Sequence, residues 1–298
     1  MPRAKGKGNP FHKPGGKGGG QFTTGPGGLG SFKLVGGPIG VGSTLEGLSA
    51  DHPTRKRVDA LAQARGFKDA QQAIDECAAR MEKMVDSTSI HKGRRWFLDE
   101  HDFHVAQAKK FHVSPEAAIG AMAALSPRCS PRENRDYAEA ILAHHKEFDS
   151  AKSCSDGVHT GALGKNNEQA WSVVSDDDPE HLTGVKRRSF FNNILFPGRT
   201  NDVTVDTQVG KILKAVAIKH AEGASKPIVP PTGKKDTAQE ETMRFVSEGA
   251  GTKNMDAGAG YYILADAIRT VARNHKESPD TIQSVVWLGM GGGKREDA

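Results

Sequence analysis

The chain has 298 residues, of which 36% are hydrophobic and 26% charged, with a mean hydropathy of −0.55. No apolar run reaches transmembrane length, and no signal-peptide-like stretch follows the basic N-terminus, which argues against a membrane-spanning or secreted protein. Three scattered cysteines (Cys77, Cys129, Cys154) exclude a disulfide scaffold and a four-cysteine cluster, and they point to a reducing compartment. A net charge of +5 and a pI near 9.0 tilt the chain toward an anionic partner without identifying one.

Residues 1–45 stand apart. They carry Arg3, Lys5, Lys7, Lys13, Lys17 and Lys33, with no acid before Glu46. Glycine recurs throughout, so this stretch cannot bury enough apolar surface to offset its chain entropy, and it is expected to be a disordered arm. A basic arm that neutralises nucleic-acid phosphate and a solubilising tail are both consistent with it. The glycine run is not a phosphate-binding loop, because no strand precedes it and no helix opens after it.

Residues 46–298 read as a helical domain. Three- and four-residue apolar spacings begin near His52 and recur through Val58, Leu61, Ile74, Cys77 and Met81, with Gly66 separating two helices. Residues 94–112 predict a further helix bearing Trp96, Phe97 and Phe103. His91, His101, His104 and His112 fall in or near it, but no acid or cysteine completes a known metal-ligand spacing, so no metal and no cofactor are expected. Ser114-Pro115-Glu116 opens a helix with a good cap, a first-position proline and a first-turn acid. Its body, Ala117 to Leu125, is small and apolar, which predicts a central buried helix. Ser130-Pro131 opens the next one, which carries Asn134 and Ile141. The loop between them holds Ser126, Arg128 and Ser130, readable as a capped helix–helix turn or as a surface for phosphate and base edges.

Residues 150–166 read as a polar surface loop. The acidic run Asp176 to Glu180 reads as a solvated helix entry rather than a cation site. Leu182 to Leu213 is the most informative stretch. A turn at Gly184 leads into Lys186-Arg187-Arg188 and an apolar-periodic run to Leu195. Pro197-Gly198 breaks that helix, and Val203-Thr204-Val205-Asp206-Thr207 opens another. Asp206 lies among β-branched residues that would partly desolvate it and raise its pKa. It is equally an ordinary N-cap for the helix that follows. Residues 222–236 read as a mobile loop, and 236–246, 261–274 and 279–287 as helices. No stretch has strand periodicity, so an all-α domain of about ten helices is expected.

Two sets of motifs carry resemblances. Leu182-Thr183-Gly184-Val185-Lys186-Arg187-Arg188, then Val205-Asp206-Thr207-Gln208, with Ala124 to Ser130 and Asn134 upstream, resemble the helix-hairpin-helix DNA glycosylases of the endonuclease III-like superfamily. The resemblance covers roughly residues 114–217. It implies the multi-helix fold of that superfamily, duplex DNA as partner, and Asp206 as the catalytic carboxylate. It also implies that Gly184, Lys186, Arg187 and Arg188 hold backbone phosphates, and that Ser126, Arg128, Ser130, Asn134 and Gln208 face the DNA or the base. The chain departs from the pattern at three positions. Arg188 stands where bifunctional members carry their Schiff-base lysine, Lys186 where the hairpin has a second glycine, and Gln208 where it has histidine. Arginine stays protonated and cannot be an amine nucleophile, so a monofunctional, hydrolytic glycosylase or a base-modifying relative is expected.

More broadly, Trp96-Phe97, Ala123 to Pro127, Phe190 to Ile194, Asp206, Tyr261-Tyr262 and Gln283 to Trp287 are together similar to a domain recurrent in actinobacteriophages. That resemblance implies a phage protein of the host cytoplasm. A non-catalytic DNA-binding protein on the same scaffold remains an alternative. So does a virion-associated protein, since the Gly-Gly-Gly-Gln-Phe segment of the arm resembles N-termini of virion proteins.

Overall fold

The structure is a computed structural model that describes residues 44–127, 129–222 and 258–291. Nearly all of the basic arm, Arg128, the loop and helix expected over 222–246 and the end of the chain lie outside the described residues. Within them are eleven α-helices, two short 3-10 turns and no strand. The helices are α1 (Pro53–Ala64), α2 (Ala70–Glu82), α3 (Ser87–Phe111), α4 (Pro115–Leu125), α5 (Pro131–His144), α6 (Ala151–Gly157), α7 (Gly164–Asp176), α8 (Val185–Leu195), α9 (Thr207–Glu222), α10 (Ala259–His275) and α11 (Pro279–Gly289). The all-α expectation therefore holds at the level of fold class.

The caps follow sequence chemistry closely. Ser114 Oγ accepts from Ala117 N, and Ser130 forms a reciprocal box with Glu133, so α4 and α5 begin where serine, proline and acid coincide. Two expectations need correction. Helix α3 begins at Ser87 rather than near residue 94, because Asp86 and Ser89 form a capping box. The polar stretch 150–166 is not a loop throughout. Ser150 and Ser153 cap the short helix α6, anchored by fully buried Cys154, and α7 starts at Gly164. Its inward-facing residues are too few to leave a readable period.

Helix α4 is the buried centre of one half of the domain. From Ala117 to Leu125 every side chain is sealed from solvent, and α4 packs against α3, α5, α7 and α8. Gly120 sets its approach to α7, since a Cβ there would sit 2.4 Å from Val173 Cγ1. Helix α5 is tied to α3 by a charged pair beneath the surface. Arg135 Nε donates to Glu100 Oε2 at 3.2 Å, and His104 Nε2 lies 3.6 Å from the same oxygen. Burial pulls the Glu100 carboxyl upward, but His104 and Arg135 outweigh it and hold it below the usual range.

In the other half, α10 packs on α1, α2, α9 and α11, burying Ile263, Leu264, Ile268 and Val271. Helix α11 then runs along α3 and joins the halves. Gly93 permits that contact. A Cβ on it would meet Thr281 O at 2.6 Å and Val285 Cγ2 at 2.8 Å. Because the first clash is with backbone, the neighbour cannot rotate away. Gly93→Ala is expected to cost about 1–3 kcal/mol by overpacking, read as a lower denaturation midpoint. A variant as stable as the parent would show that α3 and α11 can separate freely.

The connection from α8 to α9 is extended, and side chains from far along the chain hold it. Tyr261 Oη donates to Val203 O at 2.6 Å and accepts from Val205 N at 3.3 Å. Gln283 Oε1 accepts from Thr204 N. Asp280 Oδ2 accepts from Gly198 N at 2.7 Å, and Arg269 Nε donates to Asn201 O at 3.0 Å. Buried backbone polar groups must find partners, and here α10 and α11 supply them. This clamp fixes where Asp206 stands.

Candidate functional site

Where α3, α4, α5, α8, α9 and α11 converge there is a pocket of about 90 Å³, room for several water molecules. One wall is aromatic. Trp96 lies 6.2 Å from Phe190 and 5.6 Å from Trp287, centroid to centroid, and makes an edge contact with Phe97 at 4.7 Å. The lining also takes Ser126, Cys129, Ser130 and Asn134 from the α4–α5 loop and the start of α5. Lys186 and Asp206 complete the lining, with Thr204, Gln283 and Ser284.

Asp206 is half-buried at the start of α9. Its Oδ1 accepts from Val209 N at 2.9 Å, so it does cap that helix. Capping occupies one oxygen, and the carboxylate still lines the pocket. Burial pushes up Asp202, against hydrogen bonds from Asn192 and Thr200, and it pushes up Asp280 likewise.

The basic run 186–188 is divided by the helix it opens. Gly184, exposed at φ +83°, turns the chain into α8. Arg188 points inward, with Nε donating to Leu182 O at 2.7 Å, Nη1 to Glu180 Oε2 at 2.8 Å and Nη2 to Glu180 O at 3.1 Å. Only 9% exposed, it braces the connection between α7 and α8 and is not presented to a phosphate. Arg187 faces a separate cavity. Lys186 alone of the three enters the aromatic pocket. Burial there pulls its amine below the usual lysine range, partly opposed by the charge of Asp206. The expectation that all three cations contact phosphate is thus corrected by helical spacing, which sends consecutive residues to different faces.

Three residues of the lining each carry a polar atom that is buried without a hydrogen-bond partner among the described residues: Trp96 Nε1, Asn134 Oδ1 and Ser284 Oγ. Such atoms are rare in folded proteins because each costs about 1–3 kcal/mol of desolvation. Ser126 Oγ donates to Ala123 O at 3.0 Å, and Ser130 is committed to its capping box. Burial pushes the Cys129 thiol up to about 11, so it is not a thiolate nucleophile at neutral pH. Gln208 does not line the pocket; its Oε1 accepts from Lys211 Nζ at 2.5 Å. No cluster of His, Cys, Asp and Glu among the described residues could hold a metal ion.

Reading for chemistry passed over several of these residues. Trp96, Phe190, Gln283, Ser284 and Trp287 read in sequence as apolar helix positions or as parts of a broad resemblance, not as site residues. They come from α3, α8 and α11, far apart in the chain, so no local pattern marks their convergence. No curated protein and no solved structure matches the chain. A family profile covers residues 63–226, more than half of the chain, from the end of α1 through α9 and including Asn134, Lys186 and Asp206. The chain belongs to that family, a family of unknown function designated DUF7178.

Proposed function

We propose that this protein is a DNA base-processing enzyme whose aromatic pocket widens from its about 90 Å³ to receive a nucleobase extruded from the duplex. The observation that carries the reading is the meeting, in one pocket lining, of a carboxylate, an amine, residues with unpartnered buried polar atoms and tilted, closely packed aromatic rings. Bases taken out of the helix are read by stacking and by hydrogen bonds to their edges. Trp96, Phe190 and Trp287 offer the stacking. Trp96 Nε1, Asn134 Oδ1 and Ser284 Oγ offer the edge contacts.

In this reading the free oxygen of Asp206 faces the sugar. Breaking the glycosidic bond builds positive charge at C1′, which a nearby carboxylate stabilises. The departing base takes the bonding electrons and must gain a proton. Lys186 stands beside Asp206, and burial favours its neutral form more than in a free lysine. The expectation of a purely hydrolytic enzyme rested on Arg188, which lies outside the pocket, so the nucleophile is either water or the Lys186 amine. A second reading, a non-catalytic scaffold on DNA, has one observation in its favour: the Asp206 carboxylate already serves α9 as a cap.

Pocket occupancy is testable by fluorescence. Two of the three tryptophans line the pocket. A duplex with one mismatched base, cheaper to extrude, is expected to quench tryptophan emission more than its fully paired counterpart, and Trp287→Leu to remove the difference. Equal quenching by the two duplexes would contradict the reading.

A further inference from the structure

A second cavity, of about 590 Å³, lies on another side of the α7–α8 connection, between the first turns of α7, Thr183 and Arg187. Helix α7 opens at Gly164 with Leu163 in the cap position, and no side chain caps it. Asn166 N already donates to Leu163 O at 2.7 Å, which leaves the Gly164 and Lys165 amides and the positive end of the dipole to an anion. A helix start alone is not a site, but Asn166 adds an independent observation. It is 3% exposed and lines this cavity. Its Oδ1 accepts from Arg187 Nη2 at 2.6 Å, which fixes the orientation of the amide. That leaves Nδ2 as a buried donor with no acceptor among the described residues.

Arg187 also reaches Thr183 Oγ1, at 3.4 Å, and a guanidinium has five N–H groups to offer. Burial pulls its pKa below the usual arginine value. Exposed Lys165 adds a second cation at the rim, against one acid, Glu168, on the wall. Gln169 Nε2 donates to His181 O and Thr183 Oγ1, and its Oε1 lacks a donor, which suits a ligand hydroxyl or a bridging water.

We infer that the start of α7, with Asn166, Arg187 and Lys165, is a phosphate-binding site. Unpaired donors, two cations and a helix N-terminus meet there, the combination that anion sites use. The inference does not rest on the base pocket. The phosphate belongs either to a nucleic-acid backbone or to a free phosphate or phosphate monoester.

Asn166→Asp separates these sources and preserves the fold, since the carboxylate keeps the Arg187 contact while replacing the free donor with a negative charge. Lys165→Ala is a surface change that cannot compromise folding. The full-length parent and both variants are titrated with inorganic phosphate, and separately with a short duplex at several salt concentrations. Asn166→Asp is expected to weaken binding at least about tenfold, as loss of a charge-assisted contact does, and Lys165→Ala by about threefold. If the ligand is backbone phosphate, the slope of log affinity against log salt falls by about one unit in Asn166→Asp. If it is a free phosphate, phosphate binding falls while the duplex slope is unchanged. Variants that match the parent in both titrations overturn the site. The phosphate titration is informative whether or not the protein acts on bases.

Discussion

Asp206→Asn is expected to leave fold and DNA affinity intact while lowering base release about 100-fold or more, the scale seen when one preorganised electrostatic partner is removed. The amide is nearly isosteric, and its oxygen can still accept from Val209 N, so α9 keeps its cap. What it cannot do is carry the negative charge that opposes developing positive charge at C1′. DNA binding should hold or tighten, because a carboxylate close to phosphates is gone. A cap with no catalytic duty behaves differently. Asparagine would then be silent in every assay, and alanine would cost roughly 1 kcal/mol of stability. Measuring turnover, duplex affinity and unfolding on Asp206→Asn and Asp206→Ala together distinguishes the two roles.

Lys186→Met is expected to unfold at the same temperature as the parent or a higher one, because it replaces a desolvated amine with an apolar chain of similar length. Turnover should nevertheless fall about 100-fold or more, within the range for a positioned proton donor or acceptor. The sign of the pH effect follows from burial. A lysine pKa drawn below its usual value makes the neutral amine available at lower pH than in free lysine. Turnover that depends on the neutral amine should therefore rise with pH, level off below the usual lysine range, and lose that rising limb in Lys186→Met. Borohydride identifies the attacking atom. A covalent protein–DNA adduct that vanishes in Lys186→Met marks the amine as the nucleophile at C1′, whereas an abasic product without adduct marks water. Full turnover by Lys186→Met would remove the lysine from the mechanism.

Much of the fold was legible because it is written locally. Ser114-Pro115-Glu116, Ser130-Pro131 and the break at Pro197-Gly198 each act within a few residues, and the all-apolar run 117–125 can only be a buried helix. Helix α6 was not legible, since Cys154 is its one buried residue and its cap is a serine pair in a polar stretch. The site was legible in part. Asp206, Lys186 and Asn134 lie within motifs. What each does depends on contacts far along the chain, such as Tyr261 and Gln283 holding the strand-like segment before Asp206. The fate of 186–188 was misjudged for the same reason. Three consecutive cations look alike in sequence, yet the packing of α8 sends one to the pocket, one to the second cavity and one into the α7–α8 connection.

The central claim is chemistry on a base, and one measurement addresses it directly. Unmodified duplex DNA, DNA bearing modified bases, and oxidatively or alkylation-damaged DNA are each incubated with the full-length protein and with Asp206→Asn. Released bases and remaining nucleosides are then quantified by mass spectrometry. The account predicts a released or altered base from at least one of these DNAs with the parent and its absence with Asp206→Asn. If no base is released or altered in any of them, or if Asp206→Asn performs as well as the parent, the pocket is not an active site of this kind.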